Sequence, residues 1–122
     1  MNTVTLVTSD HGILTVPEPS WCRGGHPART ARADIHHEGA EMSARVDVPG
    51  TGRVPFLTAF LSQYPFSENG SRRITVAVEI EGEHYEFDSA GLGDLAAAVT
   101  THVLYGLLPL RARLQSLEEG GQ

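Results

Sequence analysis

The chain has 122 residues, with 9 Lys plus Arg against 15 Asp plus Glu and a formal net charge of −6. One domain is expected at this length, and a hydrophobic share of 40% is too high for a disordered chain. The negative balance argues against nucleic acid, whose affinity comes mainly from Lys and Arg neutralising phosphates.

All the basic residues are arginine, and Cys22 is the single cysteine. One cysteine permits no intramolecular disulfide, so a reducing, cytoplasmic setting is expected. Residues 1–8 lack a basic n-region and a long apolar run, so no signal peptide is expected. Nor does an apolar stretch approach the roughly 18 residues of a bilayer span, so no membrane partner is expected.

Residues 3–16 read as a hairpin, with apolar Val4, Leu6, Ile13, Leu14 and Val16 and a turn at Asp10-His11-Gly12. Pro17 and Pro19 are expected to end its second strand. Residues 17–41 have no periodicity and almost no aliphatic side chains. They carry Trp21, Cys22, Gly24, Gly25, His26, His36 and His37. Loops of this length in compact domains are usually functional or disordered. Ordering costs about 1 to 2 kcal/mol per residue, and aliphatic burial here is too sparse to offset it.

Residues 41–48 alternate weakly and read as a strand, followed by a break at Pro49-Gly50-Thr51-Gly52. Residues 54–64 fit a strand better than a short helix, although periodicity alone does not decide. Asn69-Gly70 marks a turn. Residues 72–88 form the clearest hairpin, with Ile74, Val76, Val78 and Ile80 alternating against Thr75, Ala77 and Glu79. Asp88 or Ser89 caps a helix whose stripe is Leu92, Leu95, Ala96, Val99, Val103 and Leu104. Gly106 and Pro109 are expected to interrupt it. A second helical segment, residues 108–117, then leads into a frayed Glu118-Glu119-Gly120-Gly121 tail.

The sum is an α+β single domain, residues 1–122. It has an antiparallel sheet of about four to six strands and a C-terminal helical region, residues 89–117, packed on one face.

The chemistry concentrates in W-C-x3-H-x9-H-H. Zinc takes four thiolate, imidazole or carboxylate ligands in a tetrahedron. Cys22 and His26 suit one half of such a site, because Gly24 and Gly25 let the backbone turn tightly between them. His36 or His37 would supply the third ligand. The fourth could be the other histidine, Asp34, Glu38, His11 or His84. Ligand bonds would replace apolar burial as the ordering force, with Trp21 shielding the site.

Trp21-Cys22-x3-His26 with His36, followed by a strand-rich centre and an Ala/Leu-rich helix, resembles a small uncharacterised actinobacterial domain family. That resemblance covers about residues 19–103. It implies that Trp21, Cys22, His26 and His36 act as a unit, and it brings no activity.

Enzyme signatures are sparse. The H-x-E and P-C-x-x-C pair of zinc deaminases is absent, as is H-E-x-x-H. Cys22 with His36 as nucleophile and base lacks a third member. The glutamates 79, 81, 83 and 86 read as solvent-facing charges around the second hairpin. The functional expectation is a non-enzymatic binding or regulatory module with a structural zinc. The alternatives are a metal-free homodimerising or protein-interaction module, using a sheet edge or residues 104–117, and a small metal-dependent enzyme.

Overall fold

A computed structural model describes residues 2–120. The class is α+β, with seven strands and a C-terminal helix. Two compact units divide the chain, Met1–Asp88 and Ser89–Gln122.

In the first unit, β1 (Asn2–Val7) and β2 (Ile13–Glu18) form an antiparallel pair running from Val7↔Ile13 to Asn2↔Glu18. The turn is built around Thr8. Its hydroxyl donates to the Gly12 carbonyl at 2.7 Å and accepts from the His11 amide at 2.8 Å. Gly12 closes the turn at φ +65°, a left-handed conformation that favours glycine.

Pro17 does not end β2, contrary to the expectation from its type. It pairs with Thr3 in a two-stranded sheet. Proline lacks only the donor, and an outer strand tolerates that loss. The strand therefore runs two residues past Val16 and ends on Glu18.

The second sheet centres on β5 (Gly52–Gln63). One edge of β5 takes β3 (His37–Glu38) and then β4 (Met42–Val48), and the other takes β6 (Thr75–Ile80), which pairs with β7 (Glu83–Phe87). Between Met42↔Ala59 and Ala44↔Phe56, β5 carries one residue more than β4. Leu57 takes up the excess at φ +51°, a bulge that bends the strand. The predicted strand at 72–80 starts later, at Thr75.

The fully buried apolar side chains are few: Val16, Ile35, Ala77 and Val78. Thr8, His37 and Ser62 are buried with them. The sheet therefore has a thin core, and residues 19–36 are tied down by polar contacts. Arg29 donates its amide to the Val7 carbonyl at 2.8 Å, Arg32 its amide to Asp10 Oδ1 at 2.9 Å, and Arg23 its amide to the Glu38 carbonyl at 3.0 Å.

In the second unit, α1 (Ser89–His102) and α2 (Leu108–Gly120) are joined without a break by a π turn, Val103–Leu107. The interruption expected at Gly106 and Pro109 does not occur. Pro109 is the second residue of α2, and the wider turn before it accommodates the missing amide. Glu118, Glu119 and Gly120 are helical rather than frayed, while Gly121 lies outside the described residues. The continuous helix, Ser89–Gly120, is long and apolar enough to cross a membrane by length and composition alone, which corrects the expectation from the split reading. None of its residues is buried.

Val78 is 2% exposed and Val46 is 47% exposed. Val78→Ala should therefore cost about 2 kcal/mol and Val46→Ala under about 0.5 kcal/mol. Urea denaturation followed by circular dichroism reads both.

Candidate metal centre

Glu18, the last residue of β2, sits where the hairpin meets the non-periodic segment. The chain then turns, with the Cys22 amide donating to the Pro19 carbonyl at 3.0 Å. Gly24 and Gly25 follow at φ +77° and +76°. Two successive left-handed residues reverse the backbone between Cys22 and His26, a path that side chains with a Cβ would strain. His37 arrives from the opposite direction, on β3, held by its pairing with Gln63 of β5.

These segments bring four donor atoms within 4.8 Å of one another, one each from Glu18, Cys22, His26 and His37. Glu18 Oε1 is the hub. It lies 2.5 Å from His26 Nε2, 3.2 Å from Cys22 Sγ and 3.9 Å from His37 Nδ1. Cys22 Sγ lies 3.8 Å from His26 Nε2. A tetrahedral zinc with bonds of about 2.0–2.3 Å places its ligand atoms about 3.3–3.8 Å apart. The cluster is close to that size, with the His26–Glu18 contact the tightest.

The electrostatics follow from these contacts. The His26 hydrogen bond holds the Glu18 carboxyl below its usual range, against the opposing effect of burial. Burial pushes the Cys22 thiol up, and the neighbouring Glu18 carboxylate pushes it the same way. The sulfur therefore keeps its proton and donates it to Glu18. Burial, with His26 nearby, lowers the affinity of His37 for a proton. His37 is 2% exposed and is a neutral imidazole.

His37 Nδ1 is buried, lies 3.9 Å from Glu18 Oε1 and has no hydrogen-bond partner among the described residues. Burying a polar atom unsatisfied costs about 1–3 kcal/mol. A cation among these atoms would remove that penalty.

Deprotonated on metal binding, Cys22 would join Glu18 in supplying two negative charges, which balance a dication. Thiolate and imidazole together suit zinc better than magnesium or calcium, which prefer oxygen. His37 lines a cavity together with Pro17, Pro19, Trp21, Pro65 and Phe66. The Trp21 ring meets His37 edge-on at 6.3 Å.

His36 is not in the cluster. Neighbouring residues of an extended chain point to opposite faces, and His36 turns toward β5. Its Nε2 lies 2.7 Å from Ser62 Oγ, and its ring stacks on Tyr64 at 4.3 Å and 9°. It satisfies the buried Ser62 hydroxyl. Of the alternative fourth ligands, Glu38 pairs with Arg23 at 2.9 Å, His11 with Asp10 at 3.0 Å, and His84 lies 3.8 Å from Glu79. Asp34 is the acidic residue of the 3-10 turn Arg32–Asp34, outside the four. Sequence reasoning missed Glu18 because it treated Pro17-Glu18-Pro19 as a strand terminator. The visible signal was spacing, since Glu18, Cys22 and His26 follow one another at intervals of four.

No curated protein and no solved structure matches the chain. A family model described as a domain of unknown function, DUF6907, matches residues 3–115. That span takes in both sheets, the four-residue cluster and most of the helix, and the chain belongs to this family.

Proposed function

We propose that this protein is a small non-enzymatic binding or regulatory module whose first unit is ordered by a structural zinc ion held by Glu18, Cys22, His26 and His37. The observation that carries the reading is the buried, unpartnered Nδ1 of His37 aimed at the Glu18–Cys22–His26 group. Hydrogen bonds within the cluster account for Glu18, Cys22 and His26 without a metal. They leave His37 unexplained.

Four protein ligands make a closed shell, which is the structural type of zinc site. A catalytic zinc keeps a position for water, and four protein donors would leave none. Zinc would displace the Cys22 thiol proton and separate His26 from Glu18. It would fasten β2, the Cys22–His26 turn and β3 at one point. The Trp21-Cys22-x3-His26 signature fits this reading, with His37 rather than His36 as the later histidine.

Elemental analysis of purified, untagged protein should find one zinc per chain. Cys22→Ala should lose it, and His36→Ala should retain it. Zinc-free wild type that is folded and refuses added zinc would overturn the reading. Retention by Cys22→Ala, or loss with His36→Ala, would move the site elsewhere.

Stripping the metal with a strong chelator should lower the melting temperature by ~10 °C or more, because metal-binding free energy is folding free energy. Added zinc should restore it. An unchanged melting curve after verified zinc removal would show that the ion does not order the fold.

A further inference from the structure

The helix Ser89–Gly120 carries an apolar stripe that the zinc reading does not use. Before the π turn the stripe falls at Leu92, Leu95 and Val99. After it, the stripe falls at Leu107, Leu110, Leu114 and Leu117. Each half has the three-four spacing of a heptad seam. Between the halves, Val99 and Leu107 are eight residues apart, one more than a heptad allows. The π turn Val103–Leu107 lies in this interval. A π turn absorbs one extra residue. The two halves therefore continue as one seam, with Leu92, Val99, Leu107 and Leu114 in the first core position. Leu95, His102, Leu110 and Leu117 take the second.

The stripe is exposed at Leu107, Leu110 and Leu114, which are 51%, 65% and 57% exposed, and half-buried at Leu92, Leu95 and Leu117. A helix of this kind draws most of its stability from packing an apolar face.

Charge selects the occupant. In the heptad frame Arg113 flanks the seam on one side, and Glu118 flanks it on the other, five residues on. In a parallel pair these positions face each other across the seam, so two identical helices form two Arg113–Glu118 pairs. In an antiparallel pair aligned over the same stripe, Arg113 would face alanine.

We propose that the helix Ser89–Gly120 is a homodimerisation element, pairing in parallel with the same helix of a second copy along Leu92–Leu117. Arg113 and Glu118 of opposite chains set the direction. This pairing does not depend on the zinc site.

Sedimentation equilibrium of the full chain tests it. The wild type should weigh twice 13.1 kDa, with or without chelator. Leu110→Glu with Leu114→Glu should give a monomer that retains its zinc content. Glu118→Arg should weaken the dimer roughly five- to tenfold by opposing like charges. Arg113→Glu combined with Glu118→Arg should restore it. A monomeric wild type at the highest attainable concentration would overturn the proposal. So would a dimer indifferent to Leu110→Glu with Leu114→Glu, or sedimentation of wild type with phosphatidylcholine–phosphatidylglycerol vesicles. A Glu118→Arg variant no weaker than wild type would overturn the parallel direction.

Discussion

The first unit depends on how one buried imidazole is satisfied. His37 is held on β3 by its pairing with β5 and lines a cavity with proline and aromatic side chains. Its Nδ1 lies 3.9 Å from the Glu18 carboxylate and has no hydrogen-bond partner among the described residues. Protonating the ring would resolve the conflict by charge, but burial disfavours the cation. A metal ion would resolve it by coordination, and such an ion would have a thiol and a second imidazole within reach.

The surrounding fold serves this point. The β1–β2 pair delivers Glu18 at its end, and β3 delivers His37 from the edge of the larger sheet. Successive left-handed glycines reverse the chain so that Cys22 and His26 return to the same place. With only four buried apolar side chains among the described residues, aliphatic packing is a weak source of order for residues 19–36. Backbone bonds from Arg23, Arg29 and Arg32 anchor the segment to the strands. On the proposed reading, the metal supplies what the core does not.

Much of the fold was legible from alternation and turn chemistry. The hairpins around Gly12 and Gly82 and a helix start at Asp88 or Ser89 followed from residue type, whereas residues 54–64 of β5 were favoured as a strand over a short helix without periodicity deciding it. The continuous helix did not. Gly106 and Pro109 are breakers by local rule, and the only mark of the π turn that accommodates both is one extra residue between Val99 and Leu107. Pro17 misled in the same way, because the rule against strand proline relaxes in a two-stranded sheet. The cluster was legible as Cys22, His26 and one of two adjacent histidines. Which of the two faces inward depends on the alternation of the extended chain against β5, and that register comes from long-range pairing. Glu18 was hidden by its neighbours, since a glutamate between two prolines reads as punctuation.

The most direct test of the central claim is zinc K-edge X-ray absorption on the purified full-length protein. The account predicts one sulfur at about 2.3 Å and three nitrogen or oxygen ligands at about 2.0–2.1 Å, with outer-shell scattering from two imidazoles. Bound zinc with no sulfur in its shell, or with one imidazole or none, would contradict the Glu18–Cys22–His26–His37 site.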